Sequence, residues 1–329
     1  MRGLGNWFKD AAGQVKWGYK FASLILIWEV FMPVFMLFAV VGLNGIAFAF
    51  FDSAGFLGSQ GEILPEYLDT ANRGWFILMM CVQNMGLILL CCGAWKIFFR
   101  RPLGQMGLRL RDGGEEPARG SGKKGAFPLS GLLLGFGAGA LMISLVCGLI
   151  YLTGGAKIQW EEGIRLDGWL LLYFIMFVFV GLGEEISFRG YGMGTLKQTG
   201  NPWILCGLTA LVFGVAHSAN ANFTLMGCLN ICLIGVFLAL WVLRSGAVWQ
   251  AAGFHIAWNY FQGCVFGFDV SGLEVKGMLT TVTSAPSLAN GGKFGPEGSL
   301  AATAVTLAAI GVLWWNGKRK GERERFLDE

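Results

Sequence analysis

The stretch Trp169-Leu170-Leu171-Leu172-Tyr173-Phe174-Ile175-Met176-Phe177-Val178-Phe179-Val180-Gly181-Leu182-Gly183-Glu184-Glu185-Ile186-Ser187-Phe188-Arg189-Gly190 decides the fold. Trp169 to Leu182 is almost wholly apolar, and the run as a whole approaches the roughly 20 residues that cross a bilayer. Three ionisable side chains close it. A charge near the bilayer centre costs at least about 2.5–3.5 kcal/mol, so Glu184, Glu185 and Arg189 must face a protein interior or a watery cavity. On a helix Glu185 and Arg189 are i,i+4 neighbours and can pair. Glu184 points about 100° away from Glu185 and is left for another task. Charges in such places are functional by default. The alternative is that all three simply lock one helix to its neighbours.

Composition widens this reading to the whole chain. Of 329 residues, 54% are hydrophobic and 14% charged, with a mean hydropathy of +0.57. A soluble domain carries nearer a quarter charged residues, so the expected class is an all-α, polytopic membrane helical bundle. Eight cysteines lie in or beside apolar stretches with no Cys-x-x-Cys pair, which suits helix packing better than disulfides or a zinc knuckle. The first apolar run is too long for a cleavable signal peptide.

Hydropathy marks eight spans, at roughly 21–50, 74–99, 127–152, 168–191, 202–219, 223–243, 246–267 and 299–316. Ahead of them, residues 1–20 mix Trp and Phe with Lys and suit an interfacial amphipathic helix. The chain therefore divides into this segment, an N-terminal group of three helices over 21–152, a core of four over 165–270, and a remainder over 271–329. The loop 100–126 is rich in Gly, Arg and Lys and suits a flexible cytoplasmic connection near anionic headgroups. Residues 283–298 are turn-rich and read as an external loop. Alternating sides through eight spans places nineteen Lys and Arg on the side of both termini and five on the other. That asymmetry makes both termini cytoplasmic.

The two histidines of the chain, His217 and His255, both fall within spans, and Asn259 shares a helix face with His255. By helical rise His217 lies about 22 Å from Pro202, Asn259 about 20 Å from Gly246 and Glu184 about 24 Å from Gly168. These levels let Glu184, His217, His255 and Asn259 meet inside the membrane. Glu29 in the first span either lines the same cavity or pairs with another helix, and a structural role is favoured. Gln83, Asn84 and Asn230 read as interhelical hydrogen-bonding groups.

Glu184-Glu185-x-x-x-Arg189, Phe213-x-x-x-His217 and His255-x-x-x-Asn259, in this order on successive spans, resemble the three motifs of the CPBP family. These are the CAAX-prenyl proteases and bacteriocin-processing intramembrane proteases. The resemblance covers about 165–270 and implies a membrane peptidase whose site opens to the cytoplasm. Carried over by position, Glu184 activates water with His217, while His255 and Asn259 stabilise the oxyanion. Glu185, Arg189 and Phe213 support the site. The chemistry needs these types: a base, an activated water and donors aimed at the tetrahedral oxygen.

No cofactor is expected, because the His-Glu-x-x-His layout is absent; the alternative is zinc held by Glu184, His217 and His255. The expected partners are the lipid bilayer and a membrane-associated peptide or protein substrate, with no nucleic acid. The expected location is a bacterial plasma membrane, as a multi-pass protein. Two other classes stay open: a non-proteolytic binding, immunity or scaffold protein of the same family, and a transporter. Against the transporter, no paired inverted halves are visible and the polar residues cluster in three spans.

Overall fold

The computed structural model describes residues 16–53, 65–109 and 128–320. Most of the expected interfacial segment 1–20, most of the basic loop and the last nine residues lie outside them. The described chain is mostly helical. Helix α1 (Trp17–Leu26) passes through a π turn (Ile27–Phe31) into α2 (Met32–Ser53), and α3 (Pro65–Ala94) ends in another (Trp95–Phe99). Then come α4 (Pro128–Leu152) and α5 (Gly168–Glu185), which continues through a π turn (Ile186–Gly192) into the short α6 (Met193–Leu196). Helices α7 (Pro202–Ala216), α8 (Leu225–Ser245), α9 (Trp249–Tyr260) with its π turn (Phe261–Val265), and α10 (Leu300–Lys320) complete the bundle. Strands β1 (Ala156–Ile158) and β2 (Thr281–Thr283) pair antiparallel, with Ala156 opposite Thr283.

Local sequence sets the boundaries. Asn201 caps α7, its Oδ1 accepting from Trp203 N at 2.9 Å, with Pro202 in the first turn where no N–H is needed. Asp167 and Thr224 cap α5 and α8 in the same way. Gly246, at φ +76°, ends α8 in the left-handed conformation and turns the chain sharply into α9.

Helical passes occupy all eight expected positions, and among the described residues six helices are long and apolar enough to cross a membrane. The seventh, α9, is short and enclosed by its neighbours, so it needs no lipid-facing length. The apolar part of the eighth stops at Asn316. Helix α9 is pressed against α4 along a seam of glycines. A Cβ added at Gly135 would stand 2.0 Å from Gln250 O, and one at Gly253 would stand 2.1 Å from Leu132 O. Only glycine allows this backbone-to-backbone approach, which fixes the helix carrying His255 and Asn259.

The connections gather at two opposite ends of the bundle. At one end, Trp249 Nε1 donates to Arg109 O (2.7 Å), Lys197 Nζ to Gln105 O (3.0 Å) and Val248 N to Gly107 O (3.2 Å). Lys20 stacks over Phe99 there, and Arg244 reaches Leu313 O, so both described chain ends lie at this end. At the other end the β1–β2 ribbon joins the 153–167 and 268–298 segments, and Lys276 meets Asp69 at 3.3 Å. Asn230 donates to Glu297 O and Ser299 O there, tying α8 to the start of α10 as an interhelical group should. Asn84 departs from that expectation. Its Nδ2 donates to Met80 O within its own helix, and its side chain packs on Gly183.

Candidate active site

Glu184 and Glu185 end α5 just where the helix loosens into its π turn. Glu185 is fully buried and accepts at Oε1 from Arg189 Nη1 (3.0 Å), itself fully buried. The expected pair is present, and it has a further member. His255 Nδ1 lies 2.9 Å from the same oxygen. A carboxylate only accepts, so His255 Nδ1 carries the proton and Nε2 points away from Glu185. Arg189 lies over the Phe213 ring, 4.2 Å from its centroid, which gives the buried cation a second favourable surface.

His217 is the residue on which α7 tightens into a 3₁₀ turn. Its Nδ1 donates to Phe213 O at 2.8 Å, which fixes the ring and leaves Nε2 as the other face. Phe213 also meets the His217 ring edge-on, at 4.8 Å between centroids. Both Nε2 atoms face one oxygen: Glu184 Oε2 stands 3.8 Å from that of His217 and 3.7 Å from that of His255. Glu184 Oε2 accepts no hydrogen bond from the protein among the described residues. Such spacings exceed a direct hydrogen bond and suit one bridging water.

The histidines open onto a small cavity. Its walls are Phe213, Ile231, Ile234, Leu238, Phe254 and Trp258; its polar lining is His217, His255 and Asn259. Asn259 makes no side-chain hydrogen bond to the protein among the described residues, so its amide is available to a ligand. Ser271 and Glu297 form the roof, with Glu297 Oε2 accepting from Ser271 N (2.6 Å) and Oγ (2.7 Å). Near this roof, burial holds the Asp269 carboxyl above the usual carboxylate range, and Glu274 adds to the effect.

Glu184, Glu185, Arg189, Phe213, His217, His255 and Asn259 therefore come together as their levels along the helices require. Glu184 touches the cavity only through the two histidines. Glu29 is exposed and takes no part. Sequence reasoning missed the roof, since Glu297 sits in a Pro-Glu-Gly turn whose composition signals only a loop. Among the described residues no group of three or more His, Cys, Asp or Glu side chains is found in a metal-holding arrangement.

Residues 166–261 match the family model of the type II CAAX prenyl endopeptidase Rce1-like proteins. Here the chain is similar to an Rce1-like domain. The matched residues of the Rce1-like domain run from just before α5 to the end of α9 and include every residue of the buried cluster. No curated protein matches the chain. The Rce1-like family is a family of proteases, and the chain is an integral membrane protein.

Proposed function

We propose that this chain is an intramembrane endopeptidase that hydrolyses a peptide bond in a membrane-associated peptide or protein, using water activated by Glu184. One observation carries the reading: two histidines on different helices, each anchored at Nδ1, present Nε2 to a single uncommitted carboxylate oxygen. Water held between Glu184 Oε2 and His217 Nε2 attacks the scissile carbonyl carbon and gives its proton to Glu184. The carbonyl π electrons move onto oxygen. His255, with Nδ1–H committed to Glu185, offers a donor at Nε2 only as the imidazolium, and the Glu185 carboxylate stabilises that form. Asn259 supplies the second donor to the oxyanion. Glu184 then passes its proton to the leaving nitrogen as the C–N bond breaks. No step requires a metal.

The test is cleavage of membrane proteins or peptides by purified wild type, Glu184→Gln and Asn259→Ala, with peptide binding measured in parallel. Glu184→Gln should bind and not cut, because the near-isosteric amide cannot take the proton. Asn259→Ala should lower kcat by about 10²–10³ with little change in KM, the scale for one oxyanion donor. Cutting by Glu184→Gln at the wild-type rate sinks the mechanism and leaves a binding or scaffold protein.

A further inference from the structure

We propose that Glu297 is a positioning residue for His217: through Ser271 and Asn220 it holds the end of α7 in the turn that aims the imidazole at Glu184. The proposal rests on the proteolytic reading only for its kinetic consequence.

His217 stands where a helix is weakest. Helix α7 stops at Ala216, and His217–Ala219 form a single 3₁₀ turn. The last carbonyls of a helix have no partner within it, and such ends fray. Here Asn220 N donates to His217 O at 3.1 Å and closes the turn. Beyond it Ala221, Asn222 and Phe223 are exposed, with Asn222 at φ +56°. The bond from His217 Nδ1 to Phe213 O fixes the ring against α7, but not the turn that carries its Cα.

The hold on that turn comes from Ser271 and Gly272. Asn220 Nδ2 donates to Ser271 O at 3.0 Å, and a Cβ added at Gly272 would stand 1.8 Å from Ala221 O. These two residues, at φ +48° and +85°, are the centre of a tight turn in which Val270 and Leu273 exchange both backbone bonds at 2.9 Å. Positive φ at both central positions is what a type I′ turn needs, and for serine it is uncommon. Glu297 keeps the serine there. Its Oε2 accepts from Ser271 N (2.6 Å) and Oγ (2.7 Å). One carboxylate oxygen thus grips backbone and side chain of the residue whose carbonyl holds Asn220.

Glu297 is itself enclosed and anchored. It is only 4% exposed, and Asn230 Nδ2 donates to its carbonyl at 2.7 Å. No cation among the described residues pairs with it. A carboxylate taken out of water without a cation is costly, and two hydrogen bonds offset that only in part. The return is stiffness, since bonds to an ionised acceptor are shorter and about twice as strong as neutral ones. Ser271 and Glu297 line the same cavity as His217 and Asn259, so the stiffness is applied at the site.

The test has one arm without turnover and one with it. The chain has only two histidines, so the imidazole nitrogen spectrum of ¹⁵N-histidine-labelled protein in detergent holds two sets of signals, with His255 as internal reference. His217→Gln assigns them. Glu297→Ala and Asn220→Ala should each shift or split the His217 signals and leave those of His255 in place. Glu297→Gln should lie between wild type and Glu297→Ala, because its amide oxygen still accepts from Ser271 without the charge. In cleavage, Glu297→Ala and Asn220→Ala should each lower kcat by up to about 10²-fold with little change in KM, as for a misplaced catalytic group. The double variant should lose no more than the worse single one, since both cut the same chain of bonds. His217 signals that stay put in Glu297→Ala overturn the proposal, and so do signals that move together with those of His255, which would mean a general loss of packing. Glu297→Gln no better than Glu297→Ala overturns the hydrogen-bonded hold, and additive losses in the double variant overturn the route through Asn220. Where Glu297→Ala fails to fold, Asn220→Ala gives the same reading from a surface turn. Signals that move as expected in a protein that cuts nothing would count against the protease alone.

Discussion

The first and fourth passes of the bundle each carry a glutamate at a π turn, and the two glutamates have opposite surroundings. In the first, Ile27–Phe31 contains Glu29, which is exposed and makes no hydrogen bond or ion pair among the described residues. In the fourth, Glu185 leads into Ile186–Gly192, is fully buried and holds both Arg189 and His255. The two turns also touch, with Trp28 against Phe188 at 5.1 Å and Ser23 bonded to Tyr191 at 2.6 Å. A π turn adds a residue to the helical repeat and rotates the helix beyond it. That rotation serves chemistry only where neighbouring helices bring partners to the redirected side chains. Helices α7 and α9 do so for the fourth pass, and no described residue does so for Glu29.

Substitutions can break or sharpen this contrast. The largest effect on stability should come from Arg189→Met, which leaves the buried Glu185 without its guanidinium partner. Losing one partner of a buried pair costs about 3–5 kcal/mol. Equilibrium unfolding in detergent should show that loss, and a shift below about 1 kcal/mol would mean the pair is not the keystone of the fourth pass. Trp28→Ala should come next, at about 2 kcal/mol, because the ring is only partly buried and a fully buried one costs about 3–5 kcal/mol. The same unfolding measurement checks it, and a silent change would show that the two π turns are neighbours without being coupled. Glu29→Gln should be smallest, within about 0.5 kcal/mol and with wild-type cleavage, as for a surface substitution that removes no contact. A large loss of cleavage in that variant would erase the contrast altogether.

The parts legible in the sequence were those that stand out chemically from an apolar background. Glu184, Glu185, Arg189, His217, His255 and Asn259 are costly in a membrane, so their presence announces a site and their distance from helix ends sets its level. Rotation between helices is not written in any one span. The i,i+4 pairing of Glu185 with Arg189 could be read from spacing, whereas the bond from His255 to that same carboxylate depends on how α9 seats against α5. The glycine seam that seats α9 was visible only as scattered glycines. The roof was harder still, because Ser271 and Glu297 gain their meaning from the fold of a turn-rich segment.

The small β1–β2 ribbon has a consequence for how firmly the loops at its end of the bundle are held. Strand β2 is laddered to β1, and Asn290, fully buried, donates to Gly155 O at 3.0 Å while its Oδ1 accepts from Ser287 N and Gly292 N. The later part of the 268–298 segment is thus stitched to the connection between α4 and α5, and lifting it away would undo all of these bonds at once. The stretch around Ser271 is bonded in its turn to Asn220, Glu297, Gln262 and Phe294 O. Both parts of the segment are thus tied down, one to a neighbouring loop and the other to the helix ends beneath it, so that end of the bundle gives way only where several bonds part together.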